Sequence, residues 1–350
     1  MRIYDQLMQT GFDTFPSDGK PLPKSVWDDL DKMNEAVPID VANVTDYLAG
    51  MGDKKRADFK VRDLPCIVPP FPITFIESRN PRGGEWMWLD EYLSKAIRGW
   101  GVLCFVRDLV ADFKDSGDSS ASDAQESANK FANKIMSTAK HDHGQGAVIT
   151  TDVRWIVSTY LFLHMQHAHD MVIGPVNGSG IFLQPNGATA RLVGLEERMA
   201  SVTYPMTDFL AGMDDSLAMM IRQLHLPIFF GLSLLHCKNV QLVEQSAMFA
   251  SRQERRMAQR NNEPPRSKFY TLEIGAMTKT LNRDGQAKQD GIAKALHICR
   301  GHFSEYSEEK PLFGKYSGRF WIPSHVRGSA ESGKVIKDYA VKAPRSDTAA

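Results

Sequence analysis

The sequence predicts an α+β fold: a mainly antiparallel sheet with helices at the amino terminus and one long central helix. Two observations carry this. Apolar runs of strand composition follow one another between residues 155 and 184, while the main helix-period runs lie in the first 55 residues and at 214–236. No alternating strand–helix rhythm joins them, which excludes a doubly wound parallel architecture.

In chain order, residues 1–55 read as helical. Pro23 precedes one helix, and Pro38-Ile-Asp40 precedes another that ends at Gly50 and Gly52. The run Cys66–Glu77 is β-branched and aromatic but holds Pro69, Pro70 and Pro72, which suggests an edge or irregular strand. Trp100–Val106 reads as a buried strand. Asp115–Ser127 is acidic and serine-rich and is expected to be a mobile surface loop, followed by a short helix near Lys130–Lys140.

Strands are expected at Trp155–Met165, Met171–Pro175 and Gly180–Gln184, with NGSG and PNG as turns in an antiparallel meander. Asp214–His236 reads as a long apolar helix that Pro227 should kink or split. Lys268–Ile274 returns to strand character. The expected organisation is an acidic body over 1–245, with the loop near 115–127, and a basic region over 246–350 that completes the sheet.

Charge supports that division. The chain balances 42 Lys+Arg against 42 Asp+Glu, yet residues 251–350 hold 19 against 11. The first 250 residues therefore carry the opposite excess of 8. Such asymmetry points to one basic working face, and zero net charge excludes a general affinity for polyanions. The amino terminus lacks an apolar signal core, and the longest apolar run, Leu224–Cys237, is broken by two histidines and a proline. A cytoplasmic protein without membrane contact is expected, with its four well-separated cysteines reduced.

The chemistry concentrates in Ala295–Gly328, which packs histidines, cations and aromatic residues into one segment. If Lys315–Arg327 is a strand, Tyr316, Phe320 and Ile322 point inward and Lys315, Arg319, Trp321, His325 and Arg327 point outward. Cations with an indole suit single-stranded nucleic acid, whose linkages are charged and whose bases stack. Arg300, Lys315, Arg319, Trp321 and Arg327 are therefore the candidate nucleic-acid contacts, although a solvated edge strand explains the same alternation. His302 and His325 are the candidate catalytic pair, an acid and a base for phosphodiester cleavage, with Lys315 or Arg319 to hold the developing charge.

Among patterns with metal-ligand spacing, His164, His167 and His169 are the best placed, ahead of His297-x-Cys299-x-x-His302 and His141-Asp-His143. None closes a four-ligand set, so no metal and no cofactor are expected. Phosphate-loop, dinucleotide, HExxH and GxSxG signatures are absent from the sequence.

Arg300-Gly-His-Phe, Pro311-Leu-Phe-Gly-Lys315 and His325-Val-Arg-Gly328 resemble a block found in uncharacterised proteins of bacteriophages and integrated mobile elements. Leu234-Leu-His-Cys-Lys-Asn-Val240 has a similar character. The resemblance covers the last third of the chain and implies a setting inside a bacterium, without an activity. Two partners are expected from these readings: nucleic acid at the basic region, or alternatively a host or phage protein bound without catalysis.

Overall fold

Among the described residues near the amino terminus, Ile3, Tyr4, Leu7, Val26 and Leu30 pack against one sheet. The computed structural model describes residues 2–12, 22–49, 61–81, 96–116, 120–138, 148–165, 171–193, 200–205, 215–245, 256, 268–274, 297–299, 301–312, 314–322 and 325–327. Two compact units divide the chain, Met1–Ser233 with Glu244–Thr271, and Leu234–Val243 with Leu272–Ala350.

In the first unit, helices α1 (Ile3–Thr10) and α2 (Lys24–Leu30) precede strand β1 (Val37–Asp40) and helix α3 (Ala42–Ala49). Strands β2 (Ile73–Arg79) and β3 (Ile97–Asp108), helices α4 (Leu109–Asp115) and α5 (Ala121–Thr138), and strands β4 (Trp155–Met165), β5 (Met171–Leu183) and β6 (Ser201–Pro205) follow. Helix α6 (Asp215–Leu235) contains Pro227. The chain returns on β7 (Val240–Gln245) and continues to β8 (Phe269–Ile274). The strand order is β6-β5-β4-β3-β2-β1-β8-β7.

The class is α+β, but the sheet is mixed. Strands β2 to β6 pair antiparallel with their sequence neighbours, whereas β1 runs parallel to both β2 and β8. Strand β1 was hidden in the sequence because four residues show no period, and Pro38 reads as a helix signal. Strand β2 lies between β1 and β3 and is not an edge. Its prolines all precede Ile73, so no ladder donor is lost.

Two further expectations are corrected. NGSG is no turn: Asn177–Gly180 lies inside the 13-residue β5, paired on one side with β4 and on the other with β6. Ladder bonds on both edges override the turn preference of Asn and Gly. The acidic stretch expected to be a loop enters α5 at Ala121. Ser120 accepts the Asp123 N–H at 3.1 Å in the manner of an N-cap, and Ala124, Ala128, Ala132 and Met136 form a buried stripe. Beside that stripe, Asn129 and Asn133 accept the N–H groups of Val153 and Ile149.

One core lies where α1 and α2 cover the sheet. Ile3, Tyr4, Leu7, Val26 and Leu30 pack on Phe75, Leu103, Phe105, Tyr160 and Phe162. A second core beneath α4 and α5 centres on Phe182. Among the described residues, no helix is long and apolar enough to cross a membrane.

In the second unit, β10 (His302–Tyr306) pairs antiparallel with β11 (Gly318–Ile322), and β9 (His297–Cys299) pairs antiparallel with β12 (His325–Arg327).

Candidate functional site

The segment singled out by its composition forms a hairpin with a long, self-braced loop. Its register sets His302 opposite Ile322, Phe303 opposite Trp321, Ser304 opposite Phe320, Glu305 opposite Arg319 and Tyr306 opposite Gly318. Directly opposed residues share a face, and faces alternate along each strand. One face therefore carries Phe303, Glu305, Arg319 and Trp321, and the other carries His302, Ser304, Tyr306, Phe320 and Ile322.

Within the outward face expected for Lys315–Arg327, Lys315 is exposed, whereas Arg319 and Trp321 are covered. Trp321 is 1% exposed, and its ring centroid lies 4.8 Å from that of Phe303. Phe320 is also buried, with Tyr306 at 6.0 Å. Alternation failed as a guide because both faces of β11 are covered, so an indole read as a stacking platform is a core side chain. Arg319 is only 19% exposed and faces Glu305 at 3.6 Å.

Asn239 explains part of the burial. Its side-chain amide donates to the Trp321 carbonyl at 2.7 Å and accepts the Trp321 N–H at 3.0 Å, replacing a neighbouring strand. The Lys238 N–H bonds the Arg319 carbonyl at 2.8 Å. Gly318 has φ +115, and a Cβ there would lie 3.1 Å from the Lys238 side chain, so this corner admits glycine alone without strain. Lys238 and Asn239 thus hold β11 through one backbone bond and a pair of side-chain amide bonds. Asn239→Ala leaves both Trp321 backbone groups without this partner. A loss of about 1 kcal/mol in denaturant unfolding is expected, since a half-buried site readmits water.

Between the strands, residues 307–312 and 314–317 are held by their own hydrogen bonds. The Lys310 N–H donates to the Ser307 hydroxyl at 3.1 Å, and Leu312 and Tyr316 exchange backbone bonds of 2.7 and 3.0 Å. Lys310 and Lys315 are exposed, as are Glu308 and Glu309, and Tyr316 is 45% exposed. An open concavity of about 870 Å³ is lined by Glu305, Tyr306, Ser307, Lys310, Pro311 and Leu312. Lys310 and Tyr306 escaped sequence reasoning, because a turn enriched in Ser, Glu and Lys reads as ordinary solvated loop.

The remaining expected residues lie on separate elements or outside the described residues. His302 is exposed on β10, and His325 stands in β12 opposite Cys299, so the two histidines belong to different ladders. Arg319, proposed as their charge stabiliser, lies on the hairpin face opposite to His302. Arg327 is placed by its backbone opposite His297. Arg300 lies outside the described residues, as do His167 and His169. His164 is 7% exposed in β4, between Gly99 of β3 and Val172 of β5.

Comparison with family models, with curated proteins and with solved structures finds no match in any of the three.

Proposed function

We propose that the chain binds single-stranded nucleic acid, RNA or DNA, at the loop of the β10–β11 hairpin. One observation carries the reading: a loop braced by its own backbone bonds presents exposed Lys310 and Lys315 and the half-exposed Tyr316 beside an open concavity. Cations hold phosphates without regard to sequence, and an exposed aromatic ring stacks on any base. The excess of 19 basic over 11 acidic residues in 251–350 supplies the wider attraction. Tyr316 takes the stacking role that the buried Trp321 does not fill. Cleavage by His302 and His325 forms no part of the proposal. The setting, a phage or mobile element in the cytoplasm of a bacterial cell, rests on the sequence resemblance alone.

Filter-binding titrations against single-stranded RNA and DNA at several salt concentrations test the reading. Affinity should fall as salt rises, and Lys310→Ala and Lys315→Ala should each flatten the log–log salt slope by roughly 0.7. Binding that ignores salt, or is unchanged in both variants, overturns it.

A second reading is favoured by the three carboxylates Glu305, Glu308 and Glu309, which cancel the cations Lys310, Lys315 and Arg319 within the hairpin. A locally neutral surface with an exposed tyrosine suits a protein partner of mixed charge, bound without catalysis. Stoichiometric recovery of that partner after nuclease treatment separates this reading from the first.

A further inference from the structure

The described residues hold one buried carboxylate whose only hydrogen-bond donor comes from a remote helix end. Glu77 of β2 is 4% exposed, and its Oε2 accepts the Tyr4 N–H at 3.0 Å. Tyr4 lies in the first turn of α1, and Arg2, at the N-cap position, makes no side-chain cap. A helix leaves its first N–H groups without intrahelical partners, so Glu77 caps α1 from 73 residues away. Its Oε1 has no hydrogen-bond partner and stands 3.7 Å from Arg2 Nε.

The surroundings are charged on three sides. From α1 come Arg2 and Asp5, joined at 2.9 Å, with the Arg2 guanidinium also 4.0 Å over the Phe269 ring of β8. On β1, Asp40 is the register partner of Glu77, which places two carboxylates on adjacent parallel strands and on one face. From α3, Asp46 pairs with Arg79 of β2 at 3.1 Å. On β3 the residue opposite is Gly101, and on β8 Asp40 faces Thr271. Asp40 also caps α3, accepting the Ala42 N–H at 2.7 Å.

We propose that a proton held at the Glu77–Asp40 pair latches the amino-terminal helix to the sheet, and that its loss loosens α1 as pH rises. Two facing carboxylates in a nearly dry site are not both ionised without repulsion, so one keeps its proton. Burial pushes the Glu77 carboxyl up from 4.5 to about 7, against the pull of Arg2, with Asp40 adding to the rise. Burial also pushes Asp40 up. Because the docked state binds the proton more tightly than a freed Glu77 would, docking is strongest below pH 4.5. It weakens as pH climbs toward 7 and levels off beyond. This is the reverse of an ion-paired carboxylate, whose contribution is lost on acidification.

Amide hydrogen exchange of Ile3–Thr10 in the full chain, corrected for intrinsic rates, reads the latch, with amides of Ala121–Thr138 as internal reference. Opening of α1 should rise between pH 5 and pH 8, by at most roughly 70-fold if release returns Glu77 fully to water, while the reference helix does not follow. Glu77→Gln keeps an acceptor for the Tyr4 N–H and removes the titration, so its opening should be flat over that range. Asp40→Asn, which removes the like charge, should move the midpoint to lower pH. The proposal is overturned by a flat parent profile, by α1 and α5 responding alike, or by Glu77→Gln retaining the parent's pH dependence. If Glu77→Gln does not fold, an unmoved midpoint in Asp40→Asn overturns it instead.

Discussion

Trp321→Ala should destabilise the second unit by about 3–5 kcal/mol, the range for deleting a buried aromatic side chain. The indole is 1% exposed, packs on Phe303 at 4.8 Å, and sits between backbone groups clamped by Asn239. Removing it opens a cavity across the hairpin, and the flanking backbone bonds do not close that space. Since domains are stable by about 5–15 kcal/mol, such a loss is a large part of the total. Denaturant unfolding followed by circular dichroism measures it, with Trp321→Phe as a milder control. A Trp321→Ala protein of parental stability that had lost only affinity for single strands would restore the indole as a stacking surface and remove the burial argument.

Gly101→Ala should cost about 2–3 kcal/mol, near the top of the range for overpacking a rigid core. A Cβ at Gly101 would stand 2.3 Å from Cζ of Phe75, whose side chain is fully buried. Phe75 has no retreat, because Tyr4 holds it at 5.4 Å on one side and Phe162 at 6.1 Å on another. The ring must tilt or the strands must part. Combining Gly101→Ala with Phe75→Leu makes room for the methyl group. The double variant should therefore be more stable than the sum of the two single effects by about 1 kcal/mol, measured as a double-mutant cycle. Strict additivity would mean that the methyl group is accommodated elsewhere.

These two positions also show how a core of this kind evades sequence reading. Glycine as the second residue of WGVLCFV looks like a weak point of a strand, yet it is the space into which Phe75 fits from the neighbouring strand. Trp321 follows Arg319 at the spacing of one strand face, and that spacing alone made both look solvent-facing.

Local pattern was sufficient where many residues repeat one signal. Trp155–Met165 appears at its expected bounds, Trp100–Val106 lies within β3, and Lys268–Ile274 contains β8. The α+β class follows from such runs, since each long apolar stretch commits its residues to burial whatever it pairs with. Of the candidate site, the sequence located the segment and Lys315, while Lys310 and the exposure of Tyr316 came from the structure.

What the sequence alone determined was therefore composition and period: which stretches are strands or helices, and where charge and aromatic rings accumulate. Tertiary structure decided the rest, because each remaining question depended on a partner distant in the chain. β1 exists through its parallel pairing with β2 and β8, and α1 receives its cap from Glu77. Trp321 is buried because Phe303 and Asn239 meet it, and the face of β11 is set by that enclosure. A period of two states that neighbouring side chains diverge; only the elements packed on each side determine which of them meets water.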